Sequence, residues 1–145
     1  MAASFEALLE RMTRAICRGD GAAAAECFAE TGVYHDGFYG EFKGRAAIAD
    51  MVTRHFHGAA RDFSWVLSDA IAEEDVGYAS YEFSYVSKMP GSEGKRAGFS
   101  GICKVRLKDG LIERYEEIFE RAQVLARLGF AGERILKSVR KWAGA

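Results

Sequence analysis

The sequence predicts an α+β domain in which a curved, mostly antiparallel sheet wraps around helices from the N-terminal half. Three observations carry this. Apolar residues recur at intervals of three and four as far as His57, they alternate with polar ones from Asp62 to Glu120, and the single proline, Pro90, lies between two alternating runs. With 145 residues, 49% of them hydrophobic, the chain can bury roughly 70% of its unfolded surface and needs no metal or disulfide staple. One domain spanning residues 1–145 is expected.

Ser4 to Arg18 brings Phe5, Leu8, Leu9, Met12 and Ile16 onto one helical stripe. Gly19-Asp20 ends that helix, and Asp20 is placed to cap a second one through Ala22–Ala25 to Phe28. Thr31 to Asp36 reads as a short strand and Gly37 to Gly44 as a glycine-punctuated loop. Arg45 to His57 then forms a third helix with Ile48, Met51, Val52, His55 and Phe56 on one side. In the alternating half, Phe63, Trp65, Leu67, Asp69 and Ile71 share one strand face, as do Ala79, Tyr81, Phe83 and Tyr85 within Tyr78 to Ser87. Met89 to Gly94 is a hairpin tip leading into Ala97 to Lys108, where Phe99, Gly101, Cys103, Val105 and Leu107 alternate with polar residues. Lys108-Asp109-Gly110 turns the chain into Leu111 to Glu120, which makes four antiparallel strands. Beyond them lie an apolar stretch, Ala122 to Leu128, and a segment with Ile135, Leu136, Val139 and Trp142 at helical spacing. Helices on one face of such a curved sheet leave a cone-shaped cavity.

Several function classes are disfavoured. A net charge of −1 gives no general attraction to nucleic acid or to an anionic membrane. The basic tail (Arg121, Arg127, Arg134, Lys137, Arg140 and Lys141 against Glu133) carries an apolar stripe, as a packed helix with a solvated face does. Cys17, Cys27 and Cys103 are odd in number and lack CxxC spacing, which points to a reducing compartment, the cytoplasm by default, and away from a zinc ribbon. No apolar run reaches the roughly 18–20 residues of a membrane span, and Met1 to Arg11 carries two glutamates where a signal peptide needs an apolar stretch. Gly19 to Ala24 satisfies G-x-G-x-x-A, but it follows a helix where a dinucleotide site must follow a strand. His55 and His57 cannot share a metal from a regular helix. Neither metal nor cofactor is expected.

The order of elements and several local patterns resemble the nuclear transport factor 2-like superfamily, and within it the SnoaL-like, polyketide cyclase and ketosteroid isomerase-related branch. The residues that carry the resemblance are Gly19-Asp20, Phe28-Ala29-Glu30, Val33-Tyr34-His35-Asp36, the run Gly40 to Ile48, and Asp109-Gly110-Leu111-Ile112 leading to Tyr115, Glu117 and Phe119. The resemblance covers about Phe5 to Gly129 and leaves 130–145 as an amphipathic helical tail. It implies the cone-shaped, cystatin-like fold, but the superfamily mixes enzymes with binding and association modules.

Carried over position by position, the resemblance places Asp36 where the steroid isomerase relatives hold their proton-moving carboxylate. Their oxyanion-binding tyrosine falls on Met12, and their protonated acid falls near Cys103, so that particular network is absent. Glu117 stands where cyclase and epoxide-hydrolase relatives have an acid on the final strand. The middle strand reads Tyr81-Glu82-Phe83-Ser84-Tyr85, without the Arg and Asp two apart that the epoxide hydrolases use.

Two carboxylates facing one apolar cavity can divide acid and base roles, and strand alternation puts Tyr34 with Asp36, and Tyr115 with Glu117 and Phe119. Against this stands the plainer reading in which Asp36 caps the turn before Gly37 and Glu117 is a solvated strand residue. His35 points to the opposite face, whereas His55 lies on the apolar side of the third helix beside Val52 and can reach the cavity as an acid or base. Trp65, Tyr81, Phe83, Tyr85 and Phe99 form a stripe suited to a ring-shaped apolar ligand, with Met12, Val52 and Cys103 expected to join the lining. The first hypothesis is a cofactor-independent enzyme of isomerase, dehydratase or cyclase type acting on a small hydrophobic carbonyl compound. Asp36 would be its base, Glu117 or His55 its acid, and Tyr34 and Tyr115 its orienting donors. The second is a non-catalytic ligand-binding or association domain. A homodimer is also expected, because Val66, Ile102, Ile112 and Ile118 occupy the alternate strand phase and would together expose an apolar patch.

Overall fold

A computed structural model describes residues 2–145; Met1, the first residue of the stretch weighed above as a leader, lies outside the described residues. The chain runs α1 (Ala2–Cys17), α2 (Gly21–Glu26), β1 (Phe28–Asp36), β2 (Gly40–Lys43) and α3 (Arg45–Met51), which continues into a π-helical turn, Val52–Phe56, and a single turn α4 (His57–Ala59). β3 (Ala60–Glu73), β4 (Val76–Ser87), β5 (Arg96–Lys108) and β6 (Leu111–Ile118) follow, then α5 (Arg121–Arg127) and α6 (Gly132–Ala143). The expected α+β order holds.

Asp20 caps α2 as its position suggests, accepting a 3.0 Å hydrogen bond from the Ala23 N–H. The six strands form one sheet in the order β2-β1-β6-β5-β4-β3. All neighbours are antiparallel except β1 and β6, whose parallel register places Tyr34 beside Tyr115 and His35 beside Glu116. The core lies between α1 and the concave face of the sheet, with Leu9, Met12 and Ile16 fully buried against Val105, Ile112 and Tyr115. Phe5 needs a strand with no side chain beneath its ring: a Cβ on Gly77 would fall 2.4 Å from it.

Four sequence expectations are corrected. Gly40 to Lys43, expected as loop, pairs with β1 as an edge strand, since Glu41 and Phe42 alternate across it. The first strand begins at Phe28, with an irregularity before Val33 that hides its early residues from a strict period of two. The third helix widens into the π turn after Met51. In β3 the register shifts between Ser68 and Ile71, where Asp69 adopts φ +53°, so Ala70 and Ala72 turn inward and Ile71 is 64% exposed. Phe63, Trp65 and Leu67 keep the shared face that alternation predicts, and Asp69 and Ile71 do not.

Candidate functional site

Beyond the end of α1 the concave face of the sheet is not filled, and a cavity of about 310 Å³ remains there. Its floor and walls come from strand residues of one phase: Tyr34 and Asp36 on β1, Phe63 and Trp65 on β3, Tyr81, Phe83 and Tyr85 on β4, Phe99 on β5, and Glu117 on β6, with Phe119 just beyond it. The π turn adds His55 and Phe56, both aimed inward because the wider turn rotates them toward the sheet. Tyr39 and Met89, 54% and 44% exposed, stand at its mouth together with Arg134 of α6. The volume is at the lower end of the range for small-molecule sites, and the lining is mostly aromatic.

Asp36 and Glu117 occupy adjacent parallel strands, one place beyond the last registered pair, so their carboxyl groups share the cavity wall. Asp36 is 9% exposed, and its Oδ1 accepts hydrogen bonds from the N–H groups of Phe38 (2.8 Å) and Tyr39 (3.0 Å). The turn-capping reading and the cavity reading are therefore both true of one side chain. Burial pushes the Asp36 carboxyl above its usual pKa, while these two N–H groups and the nearby imidazoles of His55 and His35 work in the opposite direction. Glu117 is enclosed by protein and keeps surface only on the cavity. Burial, and then the neighbouring charge of Asp36, raise its pKa to about 8. Within the pair Glu117 is the carboxyl that keeps its proton longer, because the charge of Asp36 opposes its ionisation.

The tyrosines around Glu117 divide into two kinds. Tyr115 stands behind the carboxyl, fully buried in the core, and donates a 3.0 Å hydrogen bond to Glu117 Oε2. Tyr34 stacks on Tyr115 with ring centroids 4.9 Å apart and faces the cavity. Its hydroxyl, the Tyr81 hydroxyl and the Trp65 indole N–H are all buried, and none meets a hydrogen-bond partner among the described residues. Tyr81 lies close enough to Glu117 to steady its charge, yet makes no well-aligned bond to it. Its hydroxyl reaches across β5 because residue 101 is glycine: a Cβ there would fall 2.5 Å from Tyr81 Oη.

Ten of the expected site residues line the cavity: Tyr34, Asp36, His55, Trp65, Tyr81, Phe83, Tyr85, Phe99, Glu117 and Phe119. Four do not. Met12 on α1, Val52 on the π turn and Cys103 on β5 are completely buried in the core, and Tyr115 supports Glu117 from behind the wall. Burial raises the Cys103 thiol to about 11, as befits inert packing. The position aligned with the relatives' tyrosine is Met12, in the core, and the unpartnered donors at the cavity are Tyr34, Tyr81 and Trp65 on other elements. Sequence reasoning missed Phe38, Tyr39, Phe56, Phe63 and the α6 residues Arg134, Ser138 and Trp142. The last three recur every four residues, and that spacing was the available signal. Among the described residues no cluster of three or more His, Cys, Asp or Glu side chains is placed to hold a metal, and no helix is long and apolar enough to cross a membrane.

A helix-filled, curved sheet with an aromatic cavity at one end is the nuclear transport factor 2-like fold. The family model of the SnoaL-like domain matches residues 9–115, and the chain belongs to that family. No sequence among the curated proteins matches it. Among solved structures, TsrD from Streptomyces laurentii superposes with a TM-score of 0.75 at 22% identity, covering 89% of this chain and 97% of that one. A candidate polyketide cyclase from Xanthomonas campestris pv. campestris gives 0.72 at 20% identity, over 88% and 98% of the two chains. An LEH-like epoxide hydrolase from M. tuberculosis gives 0.71 at 14% identity, over 99% and 98%. Similarity at this level establishes the fold alone.

Proposed function

We propose that this protein is a cofactor-independent enzyme of the isomerase, dehydratase or cyclase type that moves a proton on a small hydrophobic carbonyl compound. The observation that carries the reading is the set of buried, unpartnered donors, Tyr34 Oη, Tyr81 Oη and Trp65 Nε1, gathered in one cavity with the carboxyl groups of Glu117 and Asp36. Orphaned buried donors cost stability of about 1–3 kcal/mol each, and a ligand oxygen is what satisfies them. A carbonyl oxygen directed at these hydroxyls and the Glu117 O–H accepts their hydrogen bonds, and Asp36 removes a proton from the neighbouring carbon. The C–H electron pair becomes the new C=C bond, the carbonyl π pair moves onto the oxygen, and the donors stabilise the resulting enolate. Return of the proton to a different carbon completes an isomerisation. Loss of a β-hydroxyl completes a dehydration, and attack of the enolate carbon on a second carbonyl in the same molecule completes a cyclisation. His55, near Asp36, is the further candidate for proton relay.

The test uses the neutral ketone 2-acetylnaphthalene in D₂O. Catalysed exchange of its methyl protons, followed by NMR and lost in Asp36→Asn, supports the enzyme. Binding of the ketone without catalysed exchange supports the second reading, a ligand-binding domain, which the engagement of Asp36 Oδ1 by the turn favours.

The homodimer belongs to the same proposal. Val66, Ile102 and Ile118 are 57%, 54% and 81% exposed on the outer sheet face, with Ile102 registered against Ile118, and Ile71 adds to them. Ile112, expected in that patch, is instead fully buried, because the register shifts in β5 between Arg106 and Leu107 opposite it. Two such faces packed about a two-fold axis would cover the patch. Light scattering that returns a concentration-independent mass near 16.0 kDa removes the dimer. The three free cysteines fit a reducing, cytoplasmic setting.

A further inference from the structure

The cavity has two chemically different ends. At the inner end stand the unpartnered donors and two carboxyl groups, Asp36 and Glu117, a setting that disfavours any further anion. At the mouth stands α6, whose Arg134, Ser138 and Trp142 face the cavity from successive turns. Three cationic groups near this end are engaged with the protein itself, and Lys137, Arg140 and Lys141 of α6 lie outside the cavity lining. Arg121 donates to the Gly37 carbonyl at 2.8 Å and lies over the Trp142 ring at 4.3 Å, Arg127 donates to the Gly98 carbonyl, and Lys95 donates to the Leu128 carbonyl at 3.3 Å. Arg134 differs. Its guanidinium rests 5.2 Å over the Phe130 ring and meets no carboxylate or carbonyl among the described residues, and it is the only Lys or Arg in the cavity lining.

We propose that the ligand of this cavity is an aromatic keto acid, held with its carbonyl at the Glu117 end and a free carboxylate at the mouth, where Arg134 and the Ser138 hydroxyl receive it. The inference deepens the proton-transfer reading by naming the substrate class. One guanidinium and one hydroxyl suit a single carboxylate, whereas a phosphate dianion calls for more cations than this rim supplies. The Phe130 ring supports the guanidinium on one side at 5.2 Å, and no protein acceptor among the described residues competes for its N–H groups. Asp36 and Glu117 set the orientation, since the reversed pose would bring a third carboxyl group against them.

Two probes that share a ring system separate the possibilities: 6-acetyl-2-naphthoate, with a ketone and a carboxylate at opposite ends, and 2-acetylnaphthalene, which lacks the carboxylate. Binding is read from quenching of Trp65 and Trp142 fluorescence and checked by calorimetry. The keto acid is expected to bind about five- to tenfold more tightly, the scale of a solvent-accessible charge-assisted contact. That preference falls toward one in Arg134→Gln, is largely kept in Arg134→Lys, and shrinks as salt rises. A preference of one in the unaltered protein, or one that Arg134→Gln leaves unchanged, overturns this inference while the cavity reading stands. Failure of both probes to bind overturns the cavity reading and this inference with it.

Discussion

The concave face of the sheet has two ends built from the same strands in the same alternation phase, and they do opposite things. Toward one end β4, β5 and β6 present Ala79, Cys103, Val105 and Tyr115, and α1 fills the space above them with Leu9, Met12 and Ile16 until nothing is exposed. Toward the other end the same strands present Tyr81, Phe83, Phe99 and Glu117 to an open cavity. The difference is not hydrophobicity. A helix covers one half and ends before the other, and only in the uncovered half are polar atoms left without partners. A ligand can supply there what α1 supplies elsewhere.

The most forceful way to break the comparison is Asp36→Asn. Asparagine keeps an Oδ1 acceptor for the Phe38 and Tyr39 N–H groups, so the turn and the fold persist. The base is lost, and turnover, or exchange of the probe ketone, should fall by roughly 10²–10⁴-fold. Next in size is Met12→Ala in the sealed half. It leaves a cavity in a close-packed core and should destabilise the protein by about 2–5 kcal/mol in a denaturant titration. Affinity for 2-acetylnaphthalene, measured where the variant is folded, should change less than twofold. A large loss of affinity would show that the two halves are not separate.

These two residues also mark what was legible in the sequence. Periodicity identified every helix and strand long enough to show a period, and alternation assigned Asp36, Trp65, Tyr81, Phe83 and Glu117 to the inner face. Alternation cannot report depth along that face. Cys103 has the right phase but lies under α1, whose own Met12 helps to seal it, and Tyr115, two residues before Glu117, falls just behind the wall. The inward turn of Ala70 and Ala72 depends on a bulge at Asp69, which no apolar pattern announces. Nor does spacing reveal which buried hydroxyls lack a partner, because that depends on Gly101 opening a path for Tyr81 and on Tyr115 reaching Glu117 first.

A third prediction uses the titration of Glu117. Its pKa is about 8 in the folded chain and near 4.5 when exposed, so between those values the folded state binds more protons than the unfolded one. The contribution of Glu117 is complete below pH 4.5, declines as pH rises toward about 8, and is constant above. At about 1.4 kcal/mol per unit of pKa the decline amounts to a few kcal/mol. Glu117→Gln has no such proton to lose. The stability difference between it and the native protein, followed by thermal unfolding from pH 5 to pH 8, should therefore shift steadily in favour of the variant. Activity should fall on the alkaline side with the same midpoint, and a flat difference would place the Glu117 proton elsewhere.

The smallest effect is the most discriminating. Tyr81→Phe removes a buried hydroxyl that makes no well-aligned hydrogen bond, so the folded state loses only a weak contact with Glu117 and is relieved of a desolvated donor. Stability should stay level or rise by about 1 kcal/mol, while exchange of the probe ketone falls about tenfold because one enolate donor is gone. Tyr115→Phe provides the contrast. Its hydroxyl donates to Glu117, so its removal should lower stability by about 1–2 kcal/mol and push the Glu117 pKa higher still, moving the alkaline limb of the pH profile upward. If Tyr81 were an ordinary core residue, the two variants would behave alike, both losing stability. Opposite signs at Tyr81, stability held or gained and exchange lost, separate a donor kept for a ligand from one used to hold the fold.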